Sequence, residues 1–235
     1  MIDRISKQKL NVILVVDTST SMRGERIGQV NCAIREIQKY LSDLQGENSN
    51  VDFYITVLTF STAAELYGGQ PEYAVDRFSF HDIRAGGWSN LHLAYEALEP
   101  LLRKEKAGGI MPDFGGVAPI ILLMTDGHPT EPTTAQLEAL NRLPWFRVAL
   151  KYGIAIELND QRTLNCLRSF VSGNGDVIEC YNAKLLERII RIIVLTASRV
   201  RSSSASVCRG ELQPTNEVVM QEVQRELSEV DDWEW

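Results

Sequence analysis

The stretch Val12-Ile13-Leu14-Val15-Val16-Asp17-Thr18-Ser19-Thr20-Ser21 decides how this chain is read. Five apolar residues in a row, four of them β-branched, run straight into a carboxylate, with the hydroxyls of Ser19 and Ser21 following two apart. The apolar run has the pattern of a parallel strand buried on both faces. An ionised aspartate at the end of such a strand is costly unless a cation, several hydrogen bonds or both compensate it. The hydroxyls of Ser19 and Ser21 are hard oxygen donors of the kind Mg²⁺ or Mn²⁺ prefers. The stretch therefore predicts one lobe of a metal site at the end of a central strand.

The remaining sequence bounds this reading. A chain of 235 residues holds one sizeable α/β core with a short extension. Hydrophobic and charged contents of 44% and 23% are those of an ordinary globular protein. Met1–Gln8 is polar and gives no signal-peptide pattern. The most apolar helical stretch, Leu185–Val200, carries Glu187, Arg188, Arg191 and Arg199, so no membrane span is expected. Cys32, Cys166, Cys180 and Cys208 are scattered, which predicts reduced, mostly buried thiols and a cytoplasmic location. The net charge of −7 sits in residues 211–235, with eight acids and one base, and the body is balanced. A nucleic-acid partner is not suggested by that distribution.

Taken in order, Met22–Leu44 predicts a helix with Ile27, Val30, Ile34, Ile37, Leu41 and Leu44 on one stripe. Val51–Phe60 predicts a second strand, and Glu65–Tyr67 a short antiparallel return. Residues 70–84 show no period and are expected to be loop. Gly86-Gly87-Trp88-Ser89 leads into a helix from Leu91, with Trp88 expected at the rim. Ala118–Met124 is another apolar strand ending in a carboxylate, Thr125-Asp126-Gly127. A helix over Thr133–Arg142, a strand over Arg147–Ile156, a helix over Thr163–Val171, a strand over Val177–Cys180 and a closing helix over Ala183–Val200 follow. This alternation predicts an α/β, doubly wound, Rossmann-like sheet, mainly parallel, with one antiparallel edge strand and helices on both faces. In such sheets the ligand crevice lies beyond the carboxyl ends of the strands, which is where Asp17 and Asp126 fall.

Asp17-x-Ser19-x-Ser21, then Gly87-x-Ser89, then Thr125-Asp126-Gly127 together resemble the von Willebrand factor A domain and its metal-ion-dependent adhesion site. The resemblance covers roughly residues 8–200, which divides the chain into a domain over 1–201 and an acidic tail over 202–235. It implies Ser19, Ser21 and Ser89 as direct ligands of Mg²⁺ (or Mn²⁺). Asp17 and Asp126 balance its charge, and one position is left for water or a partner's carboxylate. Ser89 stands where the family usually has threonine, keeping the oxygen and losing the methyl that restricts its rotamer. Met22-Arg23-Gly24-Glu25 and Thr125-Asp126-Gly127-His128-Pro129-Thr130 are most similar to the bacterial tellurite-resistance-associated (TerY-like) branch. That branch implies a stress-response or phage-defence setting with a protein kinase and a serine/threonine phosphatase as partners.

Plainer readings stand beside these. Ser89 precedes a helix and is also placed for capping. His128 has no accompanying nucleophile motif and reads as a loop residue; Glu131 and Asp160 read as solvated loop charges. The resulting expectation is a non-enzymatic, metal-dependent protein-interaction module that captures a partner's Asp or Glu. The alternatives are a Mg²⁺-dependent phosphohydrolase using Asp17, Asp126 and His128, or an accessory subunit of an AAA+ or chelatase-type ATPase. In the tail, Val218, Val219, Val223, Leu227 and Val230 with Trp233 and Trp235 suggest either a docking segment or an acidic solubiliser.

Overall fold

The computed structural model describes residues 7–47, 51–114, 116–157, 160–172, 175–182, 184–189 and 191–192, with residues 221, 224 and 225 further on. Its centre is β1 (Gln8–Asp17), whose residues from Leu10 onward contact almost no solvent. Parallel partners flank it: β2 (Val51–Phe60) on one side and β5 (Ile120–Thr125) on the other. Between them in sequence, β3 (Ala64–Leu66) and β4 (Tyr73–Ala74) both pair antiparallel with β2. Beyond β5 come β6 (Leu150–Ile156) and β7 (Gly175–Cys180), both parallel. The strand order is β3-β2-β1-β5-β6-β7, with β4 also on β2. This is the mainly parallel sheet with an antiparallel edge that the alternation predicts.

Side-chain alternation along β1 separates the two faces. Leu10, Val12, Leu14 and Val16 pack with α1 (Glu25–Glu47) and with Leu185, Leu186 and Ile189 of the helical residues 184–189. Ile13 and Val15 point the other way, into a core shared with α2 (Leu91–Leu101), Leu140 of α3 (Thr134–Arg142), Phe146 of α4 (Pro144–Val148) and α5 (Gln161–Val171). Helices therefore cover both faces, which is why β1 is apolar throughout rather than alternating.

Several local expectations are corrected. The first helix begins at Glu25, not Met22, because Thr20–Met22 forms a separate 3₁₀ turn and Gly24 breaks it at φ 83. Residues 70–84 are not wholly loop: they contain β4 and a 3₁₀ turn at Val75–Arg77, anchored by buried Val75 and Phe78. The strand expected from Arg147 starts at Leu150, since Pro144 opens the helical turn α4 that takes up Arg147 and Val148. Proline's fixed φ and missing N–H suit the first turn of a helix. The thiols are not mostly buried: of the three described cysteines, all free, Cys180 is buried, Cys166 intermediate and Cys32 exposed. Among the described residues no helix is long and apolar enough to cross a membrane. The far part of the closing helix, 193–200, and the tail's linker and docking segment lie outside the described residues, apart from 221, 224 and 225.

One packing contact yields a direct prediction. A Cβ on Gly153 of β6 would sit 2.9 Å from Leu167 Cβ and 3.1 Å from its Cδ2, so α5 approaches the sheet where β6 has no side chain. Gly153→Ala is expected to force α5 outward and lower stability by about 1–3 kcal/mol, measured by urea unfolding. Unchanged stability would mean that α5 is not seated against β6 as described.

Candidate metal centre

Parallel register brings the functional ends together. Val16 pairs with Met124, so Asp17 and Thr125 finish neighbouring strands side by side. The loop before α2 is then tied onto this rim by backbone hydrogen bonds: Gly86 N to Thr18 O at 2.6 Å, and Thr20 N to Gly87 O at 3.0 Å. Gly87 is required here. Its φ is 95, and a Cβ would lie 2.5 Å from Thr62 Oγ1. The following residues are anchored by Trp88 N donating to Thr62 Oγ1 and by Thr130 N donating to Ser89 O at 2.9 Å. Trp88 is 69% exposed, as the sequence predicts for a rim residue.

Asp17 is fully buried and organises the site. Its Oδ1 accepts the Ser19 backbone N–H at 2.7 Å. Its Oδ2 accepts the hydroxyls of Ser89 at 3.0 Å and Thr125 at 2.6 Å. Burial pushes the Asp17 carboxyl above its ordinary range, while the Thr125 and Ser89 hydroxyls and the Ser19 N–H pull the other way. Ser89 therefore faces Asp17 rather than capping α2, whose N-cap is Asn90.

Proton counting shows what is left for a ligand. Ser21 donates its single hydroxyl proton to Asp126 Oδ1 at 2.7 Å. In the 3.0 Å contact between Ser19 and Ser21 the donor must then be Ser19. Ser89 gives its proton to Asp17. The Ser21 and Ser89 protons are spent on Asp126 and Asp17 and the Ser19 proton on Ser21, which still leaves at least one lone pair on each of the three oxygens. Neutral hydroxyl oxygens with carboxylates behind them are a donor set that fits a small, hard dication. Among the described residues no group of three or more His, Cys, Asp or Glu is gathered to hold a metal, so any ion here depends on these hydroxyls.

The sequence reading missed four residues. Thr125 supplies the shortest hydrogen bond to Asp17. Arg26, from α1, donates through Nη1 to Asp126 Oδ2 at 2.5 Å and through Nε to Glu157 Oε2 at 3.2 Å. Gln29 donates to the other oxygen of Glu157 at 2.6 Å. Glu157 had a usable signal: it follows the apolar run of β6 directly, the pattern already read at Asp17. Asp160 is corrected from a solvated loop charge to the N-cap of α5, accepting the N–H groups of Arg162 and Thr163. His128 is exposed and lies 3.9 Å from Asp160, and Glu131 is exposed.

No family model matches the chain. Among solved structures, the ArnB paralog VWA2 from Sulfolobus acidocaldarius superposes with a TM-score of 0.54 at 18% identity, covering 78% of this chain and 44% of that one. The chain has the von Willebrand factor A fold. A second solved structure with this arrangement is the pilus adhesin SpaC from Lactobacillus rhamnosus GG, with a TM-score of 0.56 at 13% identity, covering 83% of this chain and 31% of that one. In sequence, inter-alpha-trypsin inhibitor heavy chain H1 of Sus scrofa is 28% identical over 145 residues, or 59% of this chain. The match spans only 15% of that relative's length.

Proposed function

We propose that this chain is a metal-dependent protein-interaction module, an adaptor rather than an enzyme, that captures a partner's Asp or Glu carboxylate at a bound Mg²⁺ or Mn²⁺. Ser19, Ser21 and Ser89 would hold the ion, with Asp17 and Asp126 balancing its charge. The observation that carries this reading is the gathering of the three hydroxyls on one rim, with Ser21 bonded to Asp126, Ser89 to Asp17 and Ser19 to Ser21, which accounts for their protons and keeps lone pairs for a cation. Such an ion supplies a Lewis-acidic point for an anionic ligand. A hydroxyl-rich shell compensates little of a dication's charge, which favours gaining one more carboxylate. The name of the pilus adhesin among the fold relatives agrees with a binding role.

The free cysteines are in keeping with a reducing, cytoplasmic setting. Within it, the partners we favour are the kinase and serine/threonine phosphatase implied by the TerY-like motifs, in a stress-response or phage-defence module. The phosphohydrolase reading is weaker because its proposed acid–base group, His128, is 60% exposed and pairs at 3.9 Å with Asp160 rather than with Asp17 or Asp126.

Titration calorimetry with MnCl₂ tests the proposal. Saturable uptake is expected in the wild type and its loss in a Ser19→Ala/Ser21→Ala variant. Equal uptake by both proteins would sink this site. Turnover of phosphoesters that depends on Mg²⁺ and disappears in Asp126→Ala would replace the adaptor reading with the hydrolase.

A further inference from the structure

Arg26 reaches over the metal centre from α1 and is held on three sides. Besides Asp126 and Glu157, its Nη1 donates to the Ser21 carbonyl at 3.3 Å. Gln29, three residues on and so on the same helix face, fixes Glu157 from behind. Glu157 holds its place at φ 47, in the left-handed region that a glutamate enters only at a cost, with its N–H bonded to the Cys180 carbonyl at 2.8 Å. The clamp is therefore tied through β7 to the sheet rather than being a mobile surface pair.

Its effect falls on Asp126, whose side chain is fully buried. Oδ1 accepts from Ser21 and Oδ2 from Arg26, so both oxygens are engaged by protein donors. A buried carboxylate freed from its guanidinium, and already hydrogen-bonded to a ligating hydroxyl, becomes the strongest oxygen donor next to a dication. From this geometry we infer that Arg26 is a positioning residue that withholds the Asp126 carboxylate from direct coordination, so that the ion's unsatisfied charge is kept for the partner's carboxylate. The inference rests on the metal-dependent reading above. Arg26, Gln29 and Glu157 then act together, weakening the ion's attachment to its own protein and strengthening its attraction for an incoming acid.

The sign of the effect separates this role from a merely structural one. In Arg26→Met, Mn²⁺ affinity measured by electron paramagnetic resonance is expected to rise roughly 10-fold, within the range typical of outer-shell changes. Water-proton relaxation should report one fewer exchangeable water on the bound Mn²⁺, as Asp126 replaces it. Acetate, used as the probe for a partner carboxylate, should displace Mn²⁺-bound water from the wild type more readily than from the variant. Glu157→Gln loosens Arg26 without touching the hydroxyl ligands and should shift all three readouts in the same direction by less, which keeps the test usable if Arg26→Met does not fold. Unchanged or weaker Mn²⁺ binding in these variants overturns the inference while leaving the metal site standing. Absence of Mn²⁺ binding in the wild type overturns both.

Discussion

Asp17→Ala is expected to lower Mg²⁺ or Mn²⁺ affinity roughly 10–100-fold, although Asp17 is assigned no direct bond to the ion. The carboxylate is the common acceptor for Ser19 N–H, Ser89 Oγ and Thr125 Oγ1. Alanine leaves those donors without their acceptor, and the Ser89 hydroxyl proton is then free to rotate toward the place the ion occupies. A hydroxyl with its proton turned to a cation repels it. The variant also loses a unit of negative charge at the end of β1, where no water screens it. Thermal unfolding reads this out. A ligand present at 100 times its dissociation constant stabilises a fold by about 2.7 kcal/mol, so wild-type protein should melt higher in excess Mg²⁺. The variant, bound roughly 10–100-fold more weakly, should retain only about 0.4–1.4 kcal/mol of that stabilisation at the same concentration. A full shift in Asp17→Ala would remove Asp17 from the site.

Lys151→Met is expected to stabilise the protein by about 2 kcal/mol at pH 7, with the advantage disappearing at alkaline pH. Lys151 is 1% exposed in β6, its Nζ donating to the Phe146 carbonyl at 3.1 Å and standing 4.4 Å from the centre of the Phe146 ring. Burial pulls its pKa from 10.5 down to about 8. At about 1.4 kcal/mol per pH unit this is a cost of about 3 kcal/mol for keeping the ammonium inside, from which about 1 kcal/mol is subtracted for the hydrogen bond that methionine cannot make. The sign follows from proton uptake. Below pH 8 folded and unfolded chains are both protonated and the whole cost is present. Between about 8 and 10.5 the unfolded chain binds more protons, so wild-type stability gains on the variant as pH rises. Urea unfolding of both proteins at pH 7 and pH 10 checks this, and a constant difference between them would show that Lys151 does not titrate in the fold.

The contrast between β1 and α4 shows what was legible in advance. Val12–Val16 and Ile120–Met124 are covered on both faces, so their hydrophobicity is continuous and their assignment needs no partner to be known. Pro144–Val148 is short, and its apolar residues suit a strand as well as a helical turn; only the proline separates the two. β4 is two residues long, too brief for any period to register. At the site, Asp17, Ser19, Ser21, Ser89 and Asp126 were visible because oxygen-bearing side chains directly after buried strands, or before a helix, are chemically out of place. Arg26 was not visible. An arginine on a helix's polar side is unremarkable until the fold sets Asp126, 100 residues away, against it. Glu157 lay between these cases, with the right local signal and no partner in sequence to give it meaning.

The chain order of the rim has a consequence for synthesis. β1 is synthesised before the other strands of its sheet, yet the Ser89 hydroxyl that Asp17 accepts lies 72 residues later and the Thr125 hydroxyl 108 residues later. A nascent chain stalled before β5 exposes one long edge of β1, a run of β-branched residues with open backbone donors and acceptors. Until Thr125 arrives, an apolar strand with an open edge is also the one carrying the future binding residues, so translation through the second strand-ending carboxylate both shields that edge and completes the rim.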